Sequence, residues 1–471
     1  MNHRIFIAYI YFIIVISISV ISGSGCANIV PPQGGFRDSL PPLLVKANPA
    51  DSSVNFRGSK ITFSFDEYVQ VDNFFQNVLV SPIPKKLPTE NHRLNTVTVH
   101  LKDTLEANTT YSINFGESIK DFNEGNIMKG FTYVFSTGPF IDSLSFGGNV
   151  LLAETGQVDT TLTVMLHKNR DDSAVRKERP RYVTKLDGKG NFVFHNLPAG
   201  TFYVYALKDD SRSYLYMDNK KLFAFADSPV IVQRNTARKT LYAYEAAKPA
   251  DNNSSSSTAK PGAADRRLKF QTSLKNGKIQ DLLQKFSFQF ERPLRNFDSL
   301  KVHFAADTSY IPVTGYSWSV DSTKKKVILN YSFAENTLYH LILQKDFAAD
   351  TLGQQLLRPD TISFHTMKSA EYGKLSIRFR NLDLPKNPVL QFVQSNSVVN
   401  SFPLTGETFS QPLFLPGEYE LRILYDANKN GSWDPGQFFG KHKQPEIVKP
   451  IQRKIIVKEN WENDFEITTT P

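Results

Sequence analysis

The sequence predicts an all-β protein built from tandem β-sandwich domains. Aromatic residues make up 12% of the 471 residues, and 25 Gly and 26 Pro punctuate the chain. This composition favours strands joined by tight turns over helices. Short runs of alternating apolar and polar residues recur, as expected for strands with one buried face. The run Phe288-Gln289-Phe290 follows the similar run Phe63-Ser64-Phe65 by 225 residues, so we predict a pair of sandwich domains that is present twice.

The first 25 residues are predicted to be a signal peptide. Arg4 precedes an apolar run over residues 5–21, and the small residues 23–25 precede Cys26, the only cysteine of the chain. A positive start, an apolar middle and small residues before a cleavage site are typical of secretory signals. The segment resembles the lipobox of bacterial lipoproteins, although Gly23 stands where that motif usually has Leu. The resemblance implies that Cys26 becomes the first mature residue and carries acyl chains such as palmitate.

Two other interpretations of this segment stay open. An apolar run of about 17 residues is near the lower limit for crossing a bilayer, so it could be a retained membrane anchor. It could also direct ordinary secretion. The lipoprotein and anchor interpretations agree that the membrane holds the N-terminus and that the rest lies outside the cytoplasm. The resemblance to lipoproteins of Gram-negative outer membranes implies a place at the outer membrane, on its periplasmic face or at the cell surface.

Charge and cysteine content limit the partners. A net charge of +9 and a pI near 9.2 would permit contact with nucleic acid or anionic lipid. However, Lys and Arg are spread among 46 acidic residues, and an exported chain does not meet nucleic acid. We therefore expect no nucleic-acid partner.

Because no cysteine follows Cys26, no intramolecular disulfide can form, and stability must come from hydrophobic cores.

Two different strand patterns fill the first half. Residues 26–43 are rich in Pro and Gly and are predicted to be a semi-extended tether. Residues 44–139 contain runs in which apolar and polar residues alternate, and a turn at Asn108-Thr109. The segment ends with the run Phe135-Ser136-Thr137-Gly138. With Phe63-Ser64-Phe65-Asp66-Glu67, this order resembles the SbsA-like bacterial Ig-like domain. The resemblance implies an Ig-like β-sandwich over residues 44–139.

Residues 140–245 have another signature. A glycine-rich turn at 188–190 is followed by a strand, the corner Leu197-Pro198-Ala199-Gly200 and a second strand. Gly permits the backbone angles of a tight corner and Pro fixes its entry. The order is similar to the prealbumin-like fold of carboxypeptidase regulatory and SpaA-type domains.

A change of composition separates the two halves. Residues 246–265 contain no aromatic residue, Val, Ile or Leu, and they are predicted to form a disordered linker. The two halves are therefore predicted to be tethered rather than rigidly docked. Beyond the linker both patterns return, since Leu415 follows Leu197 by 218 residues within a similar corner. We predict a second Ig-like sandwich over residues 266–368 and a second prealbumin-like sandwich over residues 369–471.

One loop offers candidate metal ligands. Within residues 426–434, oxygen-bearing side chains occupy positions one, three, five and nine, namely Asp426, Asn428, Asn430 and Asp434. With Gly431 at position six, this spacing resembles an EF-hand or dockerin calcium loop, in which alternating oxygens converge on one hard cation. The bidentate Glu of that loop is replaced by Gln437, and the flanking helices are missing. A hairpin turn that uses Asn and Gly for their backbone angles explains the same residues. No other cofactor is expected.

The sequence contains no catalytic motif, so we predict that the protein is not an enzyme. The nine His are scattered without metal-ligand spacing. The predicted function is that of a non-catalytic cell-envelope lipoprotein, a modular scaffold or interaction arm anchored through Cys26, with an envelope protein or a glycan as partner. The alternative is a surface carbohydrate-binding or adhesive protein. Its candidate sugar-stacking aromatics are Tyr214, Tyr216, Tyr310, Tyr316 and Trp318.

Overall fold

The computed structural model describes residues 7, 10–16, 38–246 and 267–469. Cys26, about two thirds of the predicted signal peptide, most of the tether and nearly all of the linker lie outside these residues. In the part that is described, no helix has both the length and the apolar character needed to cross a membrane. Strands dominate the described residues, and the prediction of an all-β chain of tandem sandwiches is confirmed. The chain divides into two compact units, one ending at Ile141 and the other beginning at Asp142.

Over residues 38–141, the first unit contains nine strands and one short helix, Phe74–Asn77. Its main sheets have the orders β1-β2-β6-β5 and β4-β7-β9, and β3 pairs with β8. The strands are β1 (Leu44–Asn48), β2 (Lys60–Phe65), β3 (Val69–Val71), β4 (Leu79–Ser81), β5 (Thr89–Arg93), β6 (Thr96–His100), β7 (Thr110–Asn114), β8 (Ile119–Asp121) and β9 (Thr132–Ser136).

Strand β2 shows how the alternating pattern builds the first core. Its residues Ile61, Phe63 and Phe65 are buried, while the residues between them are partly exposed. The Phe63 ring meets Phe115 and Tyr133 edge-on, with centroid distances of 5.3 and 5.1 Å. Edge-to-face pairs add to the stabilisation that burial of the rings provides. The two sheets are thus joined by one aromatic core.

The second unit begins with eight strands and the short helix Ala174–Lys177. One sheet has the order β13-β10-β17, and the other has the order β12-β11-β14-β15 with β16 also paired to β14. The strands are β10 (Leu144–Leu152), β11 (Leu162–His167), β12 (Tyr182–Lys185), β13 (Asn191–Leu197), β14 (Gly200–Lys208), β15 (Phe223–Phe225), β16 (Val230–Val232) and β17 (Lys239–Ala243).

Eighteen more strands follow the linker, with 3-10 helices at Ser299–Lys301, Ser369–Glu371 and Leu384–Lys386. The first eleven are β18 (Phe270–Thr272), β19 (Ile279–Gln280), β20 (Ser287–Phe290), β21 (Leu294–Phe297), β22 (Val302–Ala306), β23 (Ile311–Pro312), β24 (Ser317–Val320), β25 (Lys326–Asn330), β26 (Leu338–Leu343), β27 (Ala348–Asp350) and β28 (Asp360–Thr366). The last seven are β29 (Gly373–Arg380), β30 (Pro388–Gln394), β31 (Ser397–Pro403), β32 (Thr408–Phe414), β33 (Gly417–Tyr425), β34 (Ile447–Val457) and β35 (Glu462–Thr468).

The order of strands repeats along the chain. Sheet β1-β2-β6-β5 of the first unit has its counterpart in β18-β20-β25-β24, and β13-β10-β17 has its counterpart in β32-β29-β35. In the latter pair of sheets the central strand runs parallel to the last one, β10 to β17 and β29 to β35. Separate hydrophobic clusters occupy residues 44–135, 144–243, 268–364 and 375–467. Two kinds of sandwich therefore alternate, each with its own core.

Within the second unit, residues 142–245 contact residues 369–471 directly. The Val448 N–H donates to the Ala153 carbonyl at 2.9 Å, and Gly156 lies against the Pro450 ring. The prediction that the linker leaves these parts tethered but not docked is wrong. A flexible linker limits how far apart two domains can move, but it does not prevent their surfaces from binding each other.

Candidate functional site

The predicted metal loop lies between β33 and β34 and is organised by Asp426. This side chain is only 1% exposed. Its Oδ1 accepts a hydrogen bond from the Lys429 N–H at 2.7 Å, and its Oδ2 accepts one from the Gly431 N–H at 2.6 Å. A carboxylate that accepts backbone N–H groups a few residues ahead folds the chain into a tight turn. Asp426 therefore shapes the loop whether or not an ion is bound.

The other three predicted ligands meet at the same loop. The side-chain amides of Asn428 and Asn430 both donate to Oδ2 of Asp434, at 2.5 and 2.8 Å. The Oδ1 atoms of Asn428 and Asn430 accept from the Asn430 and Ser432 N–H groups at 3.0 and 2.7 Å. The structure thus brings the side chains of Asn428, Asn430 and Asp434 together. Lys429 (φ 62°) and Gly431 (φ 77°) have positive φ, which fits the turn interpretation of the same residues.

A further carboxylate, Glu446, enters the loop and was missed by sequence reasoning. Glu446 is 5% exposed. Its Oε1 accepts from the Ala427 N–H at 2.8 Å and its Oε2 from the Asp434 N–H at 3.1 Å. Burial raises the pKa of Glu446, and the nearby carboxylates of Asp426 and Asp434 raise it further. Three mutually repelling acids therefore share one partly dry site, where repulsion is screened less than in water.

Gln437, which stands at position twelve of the loop, serves another purpose. Its N–H donates to the Lys443 carbonyl at 2.7 Å, and the Lys443 N–H donates back at 2.8 Å. Gln437 thus forms the base of a short hairpin and lies outside the hydrogen-bonded loop. Glu446 follows Asp426 by 20 residues and comes to the loop because Ile447 pairs with Tyr425 in the β33–β34 ladder.

In the corresponding loop of residues 142–245, a lysine neutralises the buried acid. Asp209 follows β14 as Asp426 follows β33, and its Oδ1 lies 3.6 Å from the Lys221 ammonium. Burial alone would raise the pKa of Asp209, but hydrogen bonds from Ser211 and Tyr214 and the Lys221 charge lower it overall. Among the described residues, no Lys or Arg forms such an ion pair with the acids of the 426–434 loop, Asp426 and Asp434, or with Glu446.

A cation at this loop would depend on more than acidic ligands. Over residues 38–246 and 267–469, no group of three or more His, Cys, Asp or Glu side chains has the arrangement needed to hold a metal ion. Amide oxygens of Asn428 and Asn430 would have to complete any coordination shell, as amide and backbone oxygens do in calcium sites. Both amides would then have to turn their oxygens toward the ion, which exchanges the O and N positions of the side chain.

The aromatics considered for sugar stacking are mostly used inside the fold. Tyr214 and Tyr216 are 4% and 2% exposed. The Trp318 ring stacks on Phe288 at 5.8 Å, and Tyr316 packs edge-on against Phe304 at 5.3 Å. Tyr310 is 48% exposed, but it stacks on the buried His340 at 4.3 Å. These residues do not form a shared exposed platform for a sugar ring.

Comparison with known proteins gives one match to a family and several distant structural likenesses. No curated protein matches the chain. A native alpha-2-macroglobulin structure from Escherichia coli is 13% identical, over 40% of this chain and 72% of that one, with a TM-score of 0.20. The Bacillus anthracis TIE protein is 12% identical, over 93% and 76% of the two chains, with a TM-score of 0.18.

The Bacillus cereus major pilin subunit BcpA is 8% identical, over 69% of this chain and 98% of that one, with a TM-score of 0.15. At these TM-scores the likenesses support no conclusion about function. The family match is local and specific. Residues 38–137, which contain the first sandwich, match the family described as bacterial Ig-like domain.

Proposed function

We propose that this protein is a non-catalytic scaffold or interaction arm of the cell envelope. The observation that supports it is the architecture: separate strand-built cores in series, the first of them a bacterial Ig-like domain. Sandwich domains present edge strands and end loops, and such loops are common binding sites on rigid scaffolds. The buried carboxylate of the 426–434 loop, Asp426, accepts backbone N–H groups and so serves turn formation.

The proposed attachment is a lipid anchor at Cys26 in the outer membrane. Cys26 lies outside the described residues, so the proposal depends on the sequence of the segment before it. One acyl chain binds a membrane only marginally, and stable anchoring needs at least two hydrophobic signals. The further partner would be an envelope protein or a glycan.

The alternative is a carbohydrate-binding or adhesive surface protein. The burial of Tyr214 and Tyr216 and the packing of Trp318 remove most of the aromatics that would support it. A glycan array probed with the signal-free protein separates the two functions. A scaffold is expected to show no specific glycan, whereas a reproducible hit that is competed by the free sugar would favour the adhesive function.

We also propose that the 426–434 loop binds calcium weakly. The observation in its favour is Glu446, which adds a buried carboxylate to Asp426 and Asp434 without a neutralising Lys or Arg among the described residues. A divalent cation would relieve the repulsion among these acids. In an envelope scaffold, such an ion would stiffen the last domain and take no part in catalysis.

A further inference from the structure

The loop that follows Asp434 is held as a preformed hairpin. We call residues 435–446 the docking loop. Its two ends are joined because Asp434 and Glu446 exchange hydrogen bonds, each N–H donating to the other residue at 3.1 Å. The Trp433 indole N–H also donates to the Glu446 carbonyl at 2.7 Å. A loop fixed in this way loses little conformational entropy when its tip binds another surface.

The tip of the docking loop inserts Phe438 into an aromatic surface of residues 142–245. Phe438 is 3% exposed. Its ring centroid lies 5.6 Å from Tyr205, 5.3 Å from Phe223 and 5.0 Å from Phe225. Tyr205 belongs to β14, whose neighbours Val204 and Ala206 point into the sandwich core. Tyr205 therefore lies on the opposite face of the sheet, and the docking loop helps to bury that face.

Charged and polar groups surround this aromatic insertion. The Arg176 guanidinium lies 3.7 Å from the centroid of the Phe439 ring, and Tyr216 stacks on the same ring at 6.0 Å. The His442 Nε2 lies 2.6 Å from the Asp172 Oδ2. The Gln444 amide donates to the Phe225 carbonyl at 3.0 Å. A buried aromatic anchor with polar contacts at its rim is the usual organisation of a specific protein interface.

The close approach at Gly436 indicates that the two surfaces are shaped for each other. A Cβ atom at Gly436 would lie 2.7 Å from the Tyr244 ring and 2.9 Å from the Lys443 carbonyl. Only glycine lets the backbone come this near without displacing the ring.

We propose that the docking loop is an internal latch that binds residues 142–245 to residues 369–471 of the same chain. The aromatic face around Tyr205, Phe223 and Phe225 is its receptor, and Phe438 and Phe439 are the groups that fill it. The linker keeps the latch near its receptor at a high effective concentration, so modest affinity is enough for docking. The latch makes residues 142–245 and residues 369–471, which the linker alone would leave independent, behave as one mechanical body.

Cleavage of the linker tests the latch in the complete mature chain. A protease recognition sequence replaces Ser254–Ser257 in protein that lacks the signal peptide and carries Cys26→Ser. After cleavage, size-exclusion chromatography and light scattering at micromolar concentration are expected to show a one-to-one complex of the halves. The double variant Phe438→Ala/Phe439→Ala is expected to weaken association by about 30-fold or more, as loss of an interface hot spot does.

Matched variants keep the test independent of misfolding. Arg176→Ala removes the guanidinium from the Phe439 ring on the other half, and it is expected to weaken association as well. Trp461→Ala alters a side chain that is 64% exposed on the same half as the docking loop, and it is expected to leave association unchanged. Circular dichroism of each variant checks that its strands are intact.

Three results would overturn the latch. The first is separation of the cleaved wild-type halves at micromolar concentration. The second is association of the double variant that is as tight as in the wild type. The third is a complex with twice the expected mass, which would mean that the docking loop binds a second copy of the chain.

Discussion

Glu446 and Asp434 form two hydrogen bonds across the ends of a 12-residue loop: the Asp434 N–H donates to the Glu446 Oε2 and the Glu446 N–H donates to the Asp434 carbonyl, both at 3.1 Å. These bonds join the carboxylates of Asp426, Asp434 and Glu446 to the docking loop. The Glu446 carboxylate therefore holds one end of the segment that carries Phe438.

We expect calcium to stabilise the last domain. At 10 mM Ca²⁺, a dissociation constant of about 1 mM, typical of extracellular modules, would add about 1.4 kcal/mol to the free energy of unfolding. The measurement is the melting temperature of the signal-free protein with and without calcium, with Trp433 fluorescence as a local signal. Trp433 reports on the site because its indole binds the Glu446 carbonyl.

Matched variants locate the calcium response. Asp426→Asn and Glu446→Gln are expected to abolish it, because each removes one negative charge from the cluster. Asp209→Asn changes the corresponding loop, where Lys221 already supplies a cation, and should preserve the response. An unchanged melting temperature at millimolar calcium would show that the 426–434 loop does not bind calcium.

His167 is expected to make the protein sensitive to mild acid. Burial lowers the pKa of His167 from 6.5 to about 4, and its Nε2 has no hydrogen-bond partner among the described residues. Because the unfolded chain takes up a proton near pH 6.5 and the folded chain does so only near pH 4, stability is lost as the pH falls through this window. The loss amounts to about 3 kcal/mol when complete.

Urea unfolding at pH 7 and pH 5 measures this effect. His167→Leu should flatten the dependence on pH, since its side chain cannot be protonated. His195→Gln alters an exposed histidine of β13 and is the matched control. If His167→Leu and the wild type lose equal stability between the two pH values, His167 is not the sensitive group.

Gly148 is expected to tolerate no side chain. A Cβ atom at this position would overlap the Lys239 carbonyl of the parallel partner strand and lie 2.7 Å from the Phe192 ring. Gly148→Ala should therefore destabilise the fold by about 1–3 kcal/mol, as overpacking in a core does. Gly188→Ala, where nothing lies within 4 Å, should change stability by less than about 0.5 kcal/mol. Equal midpoints for the two variants in urea would contradict the packing at Gly148.

Local patterns predict the strands because the alternation of side chains follows directly from the pleat. The run around Phe63 became β2, and the corner at Leu197–Gly200 joins β13 to β14. The repeat of similar runs after the linker corresponds to the repeated sheet orders. Within the candidate loop, Asp426 and Asp434 were found from their spacing alone.

Long-range features could not be found in the same way. Glu446 reaches the loop through the pairing of β33 with β34, and no local spacing records that pairing. The docking of Phe438 was missed for a related reason. The composition of a linker predicts its flexibility, whereas docking depends on whether two distant surfaces are complementary. In the sequence, nothing distinguishes Tyr205 from other strand residues, because its contact with Phe438 depends on a distant part of the chain.

Metabolic labelling with palmitate tests the envelope scaffold most directly. Wild-type protein and Cys26→Ala are expressed in bacterial cells, and the label on each purified chain is measured. We predict strong labelling of the wild type in the membrane fraction and none of Cys26→Ala. Equal labelling of both proteins, or wild-type protein that is unlabelled and leaves the cell, would contradict the lipid-anchored scaffold.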